Sequence, residues 1–287
     1  MASYLVTGAN GQLGQCFRAV AIEFPKHKLI FANQTMVDLT RPETLINFYS
    51  SNNFDGIINC AAYTKVDNAE KNHDKALQIN VEGLQNLSEF ADQKSLSLVH
   101  FSTDYIFDGT SSFPYQEDDK PNPINSYGFS KKEGESILEK AKARNTIFRI
   151  SWLFSPFGEN FVKTILSLSK LKERIKVIND QWGCPTYGID LARKVLTSID
   201  KPYFFDYNCY HFNQNEIITW FDFANKIVSL KKSFCKIMPC SSLEYPTLAK
   251  RPQYSVLDIK RVQDHLSLNP LNWEAAIEDC LSRLQEI

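Results

Sequence analysis

The stretch Tyr4-Leu-Val-Thr-Gly8-Ala-Asn-Gly11-Gln-Leu-Gly14 decides the fold. Its apolar start predicts a β-strand, and a helical pattern begins at Gln12, so the three glycines lie at a strand-to-helix turn. Glycine lets the backbone approach a pyrophosphate closely, and the free N–H groups at the start of the helix can bind it. The G-x-x-G-x-x-G spacing therefore predicts a dinucleotide site, although a glycine-rich turn without a ligand would have the same spacing. The predicted site consists of Gly8, Gly11, Gln12, Leu13 and Gly14.

Beyond this turn, short apolar runs alternate with helical patterns, which predicts β-α-β units around a parallel sheet. We predict strands at 4–7, 29–32, 56–61, 96–102, 146–151 and 175–178. We predict helices at 12–23, 42–50, 72–93, 126–143, 160–169, 189–199, 216–230 and 273–284. The predicted fold class is α/β, a Rossmann-type doubly wound parallel sheet with a smaller α/β C-terminal lobe.

The pattern loosens after about Phe154 into loops that contain proline. We therefore predict a dinucleotide-binding domain at 1–154 and a mainly substrate-binding lobe at 155–287. Segments from about 175–210 are expected to return to the first domain.

Composition excludes several classes of protein. The 287 residues are 43% apolar and 23% charged, close to the globular averages, which excludes a disordered, collagenous or coiled-coil chain. A net charge of −1 leaves no basic field, so we expect neither a nucleic-acid nor a membrane partner. The seven cysteines are scattered without a C-x-x-C pair, which predicts no metal site. The chain also has neither a leader pattern nor a long apolar run, so we expect a cytoplasmic protein.

The second predicted strand is followed by Asn33, where an acidic residue would read the ribose of NADH. Without that carboxylate NADPH is allowed, and without an arginine there NADH remains possible. Asp38 could bind the adenine amino group, with Leu39 packing beside it. Asp38 could equally cap the helix that begins at Pro42.

Tyr127-Gly-Phe-Ser-Lys131 places a phenol and an ammonium on one face of a helix. A phenol pKa of about 10 would have to fall by about three units, or roughly 4 kcal/mol, for acid/base work near neutrality. A partly desolvated Lys131 and a nicotinamide ring could supply this, whereas the spacing alone also fits a solvated helix pair. An earlier strand ends in Ser102-Thr103, at the edge where α/β folds bind ligands, and Thr103 can donate to a carbonyl.

Together, the glycine turn, the strand-end hydroxyl and Tyr-x-x-x-Lys resemble the extended short-chain dehydrogenase/reductases. Further segments resemble the dTDP-4-dehydrorhamnose reductase family over nearly the whole chain. These segments are Cys60-Ala-Ala-Tyr-Thr-Lys-Val-Asp-Asn-Ala-Glu70, Ser102-Thr-Asp-Tyr-Ile-Phe-Asp-Gly109, Arg149-Ile-Ser-Trp152, Asn160-Phe-Val, Asp180-Gln-Trp-Gly-Cys-Pro-Thr186 and Arg251-Pro-Gln-Tyr-Ser-Val-Leu-Asp258.

The resemblance implies that NADPH, or NADH, gives hydride to C4 of a dTDP-linked 4-keto-6-deoxy sugar, converting dTDP-4-dehydro-L-rhamnose to dTDP-L-rhamnose for polysaccharide biosynthesis. It implies that Tyr127 donates the proton, Lys131 holds the nicotinamide ribose and tunes Tyr127, and Thr103 binds the C4 oxygen. Further implied contacts join Gly11, Gln12 and Leu13 to the pyrophosphate, Asp38 and Leu39 to the adenine, Ala61, Ala62 and Tyr63 to the ribose side of the cofactor, and Asp104, Tyr105, Trp152 and Arg251 to the sugar nucleotide.

Other interpretations of these residues stay open. Trp152 could pack in the core, Asp104 could cap a turn, and Arg251 could be a surface residue on a proline-led loop. Some relatives form a metal-linked dimer through a glutamate two residues after the third glycine. That position is Cys16, so we do not predict a magnesium-bridged dimer and leave the oligomeric state open.

Two rival functions share these motifs. One is a sugar-nucleotide epimerase or 4,6-dehydratase, but dehydratases of this type carry a glutamate after Thr-Asp, where this chain has Tyr105. The other is an NADP-binding regulatory subunit without turnover. Consumption of NADPH with a dTDP-4-keto sugar distinguishes them from a reductase.

Overall fold

The computed structural model describes residues 2–286. Its strands are β1 (Ala2–Thr7), β2 (His27–Phe31), β3 (Gly56–Asn59), β4 (Ser97–Thr103), β5 (Asn145–Ile150), β6 (Leu153–Phe154), β7 (Arg174–Ile178), β8 (Trp182–Gly183), β9 (Thr186–Tyr187), β10 (Cys209–Phe212), β11 (Ile218–Thr219) and β12 (Lys236–Cys240). Its α-helices are α1 (Gln12–Val20), α2 (Pro42–Asn52), α3 (Val66–Lys71), α4 (His73–Leu77), α5 (Gly83–Lys94), α6 (Ser126–Leu138), α7 (Phe161–Leu171), α8 (Gly188–Ser198), α9 (Trp220–Leu230), α10 (Lys260–Leu266) and α11 (Trp273–Glu286).

Six strands form a parallel sheet in the order β10-β5-β4-β3-β1-β2. The direction of winding reverses between β1 and β3. In an open α/β sheet, ligands bind at the carboxyl ends of the strands beside such a reversal. The predicted Rossmann-type fold is therefore confirmed, and it places the glycine turn after β1 at the reversal point.

The two faces of the sheet are both covered, which explains the continuous apolar runs of its inner strands. In β1, Val6 packs on the face covered by α1 and α8, whereas Leu5 packs on the face covered by α2 and α5. Ile58 and Ile57 in β3 divide in the same way. Because neighbouring residues of a strand point to opposite faces, each strand contributes to both layers of the core.

The structure differs from the predicted elements at several places, and for α6 and α9 the local cause is visible. The strand at 174–178 is outside the main sheet and pairs with β12, whereas β10, which was not predicted, completes the main sheet. Helix α6 ends at Leu138, whose carbonyl accepts a 3.0 Å hydrogen bond from Asn145 Nδ2. The predicted 72–93 helix contains a π-helical segment at Gln78–Glu82 between α4 and α5. Helix α9 begins only at Trp220, because Thr219 and Asp222 form a capping box.

The second half of the chain contributes to both parts of the molecule. Helix α8 packs on α1 beside the main sheet, and β10 lies at the edge of that sheet. In contrast, β7 and β12 form their own parallel pair against α9. The division into a domain at 1–154 and a lobe at 155–287 stays a prediction.

Candidate active site

The glycine turn is shaped by close backbone contacts. Gly8 has φ +61°, and a Cβ atom there would lie 2.7 Å from the backbone of Cys60 and Ala61. A Cβ atom at Gly14 would lie 2.4 Å from the Gly8 carbonyl oxygen. Both positions therefore require glycine. Gly11 precedes α1, and no side chain in the described part of the chain caps the first turn of that helix, which leaves its N–H groups available to an anion.

One cavity of about 400 Å³ lies on the β2 side of this turn. Asn33 lines it, and its Oδ1 accepts hydrogen bonds from Thr35 N, Thr35 Oγ1 and Met36 N at 3.0, 2.7 and 3.2 Å. Asp38 and Leu39 also line it, and Asp38 Oδ1 binds the following turn rather than a backbone N–H of α2. The alternative in which Asp38 caps α2 is therefore wrong, and its contact with adenine stays a prediction.

A second cavity of about 380 Å³ adjoins the first and shares Gly11, Ala61 and Ala62 with it. It brings together residues from the ends of β3, β4 and β5, the glycine turn and α6. The predicted residues in its lining are Gly11, Gln12, Leu13, Ala61, Ala62, Thr103, Asp104, Tyr105, Tyr127, Lys131 and Trp152. Gly14 and Tyr63 lie behind the lining, where Gly14 packs on the turn and the Tyr63 backbone binds the Asn80 amide.

Tyr127 stands at the start of α6, where Asn125 caps the helix through Gly128 N at 2.7 Å. Burial raises the pKa of the Tyr127 phenol, and the Asp104 carboxyl acts in the same direction, while the Thr103 hydroxyl opposes them. A raised pKa keeps the phenol protonated at neutral pH, which is the form that can donate a proton. The lowering of the Tyr127 pKa by Lys131 stays a prediction.

Lys131 is a fully buried amine on the same face of α6. Its Nζ lies 2.7 Å from the Phe101 carbonyl oxygen and 2.9 Å from His100 Nε2. Burial lowers the pKa of Lys131 to about 8, and the charge of Glu135 offsets part of this effect. The Lys131 amine therefore loses its proton at a pH much closer to neutrality than an ordinary lysine does.

Asp104 follows β4 and is only 2% exposed. Its Oδ1 accepts a 3.1 Å hydrogen bond from Thr103 Oγ1, whereas its Oδ2 is buried without a hydrogen-bond partner in the described structure. Burial raises the pKa of the carboxyl from 3.8 to about 7, and the Ser255 and Thr103 hydroxyls offset only part of the effect. An unpartnered buried oxygen at a cavity wall is suited to a polar ligand.

Trp152 follows β5 with φ +47°, which is rare for a bulky side chain. Its indole stacks on that of Trp220, with ring centroids 3.7 Å apart and planes inclined by 12°. Both rings line the cavity. Trp152 is thus partly buried, and it packs against the main core as well as lining the site. Its contact with the sugar nucleotide stays a prediction.

Arg251 does not line either cavity, within the described residues. Its guanidinium binds both carboxylate oxygens of Asp67, at 3.2 and 2.7 Å, and also the Ala249 carbonyl. It lies beside Tyr105, which does line the second cavity. Arg251 is therefore near the site but already paired, and its contact with a diphosphate stays a prediction.

Sequence reasoning missed two buried polar residues near Lys131, namely Asn59, which lines the same cavity, and His100. Asn59 Nδ2 lies 2.9 Å from His100 Nδ1, and Asn59 Oδ1 accepts from Thr7 Oγ1 at 2.6 Å. Both residues are polar members of otherwise apolar strand segments, and this is the signal that could have identified them. Trp220 was also missed, because it lies in a predicted helix without a motif.

Two features are absent from residues 2–286. No group of three or more His, Cys, Asp or Glu side chains has an arrangement that could hold a metal ion. None of the helices in that range is long and apolar enough to cross a membrane.

The chain matches a family model described as RmlD substrate binding domain over residues 2–286. It is 35% identical to a dTDP-4-dehydrorhamnose reductase from Aggregatibacter actinomycetemcomitans, covering 97% of this chain and 98% of the relative. A crystal structure of a dTDP-4-dehydrorhamnose reductase from Clostridium acetobutylicum aligns with TM-score 0.92 and 36% identity over 99% of both chains. The corresponding Bacillus anthracis enzyme in complex with NADP aligns with TM-score 0.92 and 34% identity, over 99% of this chain and 100% of that one.

Proposed function

Because the chain belongs to the family of RmlD substrate binding domain proteins and dTDP-4-dehydrorhamnose reductases, we propose that it is a reductase of the same kind. It reduces the C4 keto group of dTDP-4-dehydro-L-rhamnose to give dTDP-L-rhamnose, with NADPH or NADH as hydride donor. The observation that carries this proposal is that Thr103, Tyr127 and Lys131 line the same cavity, the second one, as the glycine turn.

The residues present fit a dinucleotide. The turn has no room for a Cβ atom at Gly8 or Gly14 and leaves the start of α1 uncapped, which suits a pyrophosphate. Asn33, a neutral residue in the adjoining cavity, does not repel a 2′-phosphate. When bound, the dihydronicotinamide supplies the hydride. The ribose side would be held by Ala61, Ala62 and Lys131.

The protein's own residues handle the oxygen and the proton. As hydride reaches C4, the carbonyl oxygen gains negative charge, and the Thr103 hydroxyl can turn from Asp104 to donate to it. The Tyr127 phenol then gives its proton to the new alkoxide, which leaves a phenolate to be reprotonated from solvent. Asp104, Tyr105 and Trp152 are placed to orient the sugar, and Arg251 is the proposed contact for its diphosphate.

Elimination of water is less well supported than reduction. The residue after Asp104 is Tyr105, a phenol whose pKa is raised by burial, so it is a poor base for removing a proton from the sugar. The seven cysteines are all free thiols, which supports a cytoplasmic setting as a proposal.

The test is NADPH absorbance in the presence of a dTDP-4-keto-6-deoxy sugar. Tyr127→Phe should reduce the rate by about 10² to 10⁴, because general acid catalysis contributes that much, while NADPH binding persists. Tyr203→Phe, at an exposed position outside the cavity lining, is the matched control. A Tyr127→Phe protein that keeps more than about a tenth of the activity would mean that another group is the acid. No NADPH consumption by the wild type would favour a regulatory subunit.

A further inference from the structure

Four buried side chains form a series of hydrogen bonds at the wall of the active-site cavity, where two of them, Asn59 and Lys131, belong to the lining. Thr7 and Asn59, the last residues of β1 and β3, are register partners, and Asn59 is in turn the register partner of His100 in the middle of β4. The distances are 2.6 Å from Thr7 Oγ1 to Asn59 Oδ1, 2.9 Å from Asn59 Nδ2 to His100 Nδ1, and 2.9 Å from His100 Nε2 to Lys131 Nζ. Each of these side chains is at most 2% exposed, so we expect each contact to pair a donor with an acceptor from the protein.

A backbone N–H determines which group donates and which accepts in this series of hydrogen bonds. The Ala61 N–H, which can only donate, lies 3.1 Å from Asn59 Oδ1. The amide of Asn59 therefore turns its Nδ2 toward His100, and Nδ2 donates to His100 Nδ1. A neutral imidazole carries one N–H, so that proton is on Nε2. Burial lowers the pKa of His100 well below its usual value, which keeps the ring neutral.

The His100 Nε2–H then points at Lys131 Nζ. An ammonium has three donors and no acceptor, whereas a neutral amine has a lone pair that accepts this hydrogen bond. The amine can still donate to the Phe101 carbonyl at 2.7 Å. An ammonium would require His100 Nε2 to accept, and this would force Asn59 to rotate away from the Ala61 N–H.

We propose that His100 is a positioning residue which, oriented by Asn59, favours the neutral amine of Lys131 in the ligand-free protein. Lys131 then takes up a proton from solvent when an anionic dinucleotide binds. This second step rests on the proposed function, whereas the first concerns only the protein itself. Burial of Lys131 acts in the same direction as the hydrogen bonds.

Several other titratable groups surround Lys131. Glu135 on α6 favours the ammonium, but its carboxylate is paired with Arg149 at 2.8 Å. Glu159 lines the cavity and would also favour the charged form. Asp104, whose pKa burial raises to about 7, ionises just below the pH at which Lys131 titrates and then also favours the ammonium. The other groups in the lining stay uncharged at neutral pH, because burial raises the pKa of each: Cys60, Tyr105 and Tyr127.

The direct test is an NMR titration of the lysine side chains in the ligand-free protein, with the Lys131 signal assigned by its loss in Lys131→Met. We expect the pKa of Lys131 at or below about 8. Asn59→Asp has the same shape, keeps the bonds from Ala61 and Thr7, and turns His100 Nδ1 into a donor. It should raise the Lys131 pKa by about one unit or more.

Two further variants separate the causes. His100→Gln adds no charge and offers an amide oxygen that accepts from an ammonium, so it should also raise the Lys131 pKa. Thr7→Ser keeps the hydroxyl and should leave that pKa unchanged. If Asn59→Asp and His100→Gln unfold cooperatively like the wild type and yet titrate Lys131 at the wild-type pH, the proposal is wrong.

NADPH fluorescence titrations test the coupling to binding. The wild-type Kd should rise by up to about tenfold per pH unit above the Lys131 pKa, because binding then requires a proton. In Asn59→Asp the rise should begin at higher pH. If the variants change the Lys131 pKa as expected but NADPH does not bind, the proposed function is wrong, while the proposal of a neutral Lys131 amine is supported. If NADPH is bound and consumed while its Kd is independent of pH, the proton uptake is wrong.

Discussion

Asp104→Asn should stabilise the ligand-free protein, and by an amount that depends on pH. Burial raises the pKa of this carboxyl from 3.8 to about 7. Below about pH 4 the folded and unfolded chains both carry the proton, so the carboxyl has no effect. Between about pH 4 and pH 7 only the unfolded chain is ionised, and the free energy of unfolding falls as pH rises. Above about pH 7 the loss is constant at roughly 4 kcal/mol, which is about 1.4 kcal/mol for each of about three units.

Asparagine resembles the protonated carboxyl, because its Oδ1 can still accept from Thr103. The assay is urea unfolding of wild type and variant at pH 5 and pH 8. We expect the variant to be more stable by roughly 1 to 2 kcal/mol at pH 5 and roughly 4 kcal/mol at pH 8. A stability difference that is equal at the two pH values would show that Asp104 ionises normally in the folded protein. Activity should fall in the same variant, as is common when a strained site residue is relaxed.

Three other substitutions test separate parts of the site. Asn33→Asp can accept the same hydrogen bonds from Thr35 and Met36, so the turn should persist. The new negative charge should shift the ratio of NADPH affinity to NADH affinity toward NADH. An unchanged ratio would show that Asn33 does not lie beside the 2′-phosphate. Arg251→Ala should raise KM for the sugar nucleotide more than it lowers kcat, and Arg251→Lys should raise KM by a smaller factor. Lysine cannot fully replace arginine, because only a guanidinium binds phosphate through two parallel hydrogen bonds. If steady-state kinetics show an unaltered KM, Arg251 does not contact the substrate. Glu135→Gln breaks the buried pair with Arg149, whose distance is 2.8 Å, and should lower the free energy of unfolding in urea by about 3 to 5 kcal/mol.

The inner strands were predictable because they are buried on both faces and therefore read as continuous apolar runs. The segment Arg174-Ile-Lys-Val-Ile178 alternates instead, with Arg174 and Lys176 exposed. Such alternation is typical of a strand with one wet face, and it was the available sign that β7 lies outside the main sheet. Strand β10, at the sheet edge, contains His211 between two aromatic residues, a pattern too short to identify as a strand.

Those residues of the site that belong to short sequence motifs could be predicted from the sequence. Thr103, Tyr127 and Lys131 do line one cavity, while their roles stay predictions. The partner of Arg251 could not be predicted, because Asp67 is 184 positions away along the chain. The protonation of Lys131 also depends on the tautomer of His100, and only the three-dimensional network determines that.

The stacked indoles of Trp152 and Trp220 also give the protein an intrinsic optical probe. Two parallel rings with centroids 3.7 Å apart have strongly coupled electronic transitions, which produce a paired positive and negative band in the ultraviolet circular dichroism spectrum. Trp152 follows a strand of the main sheet, whereas Trp220 begins α9, so the coupling depends on the separation of these two elements. Any ligand that slides between the rings or turns one of them changes this signal without a dye or a label.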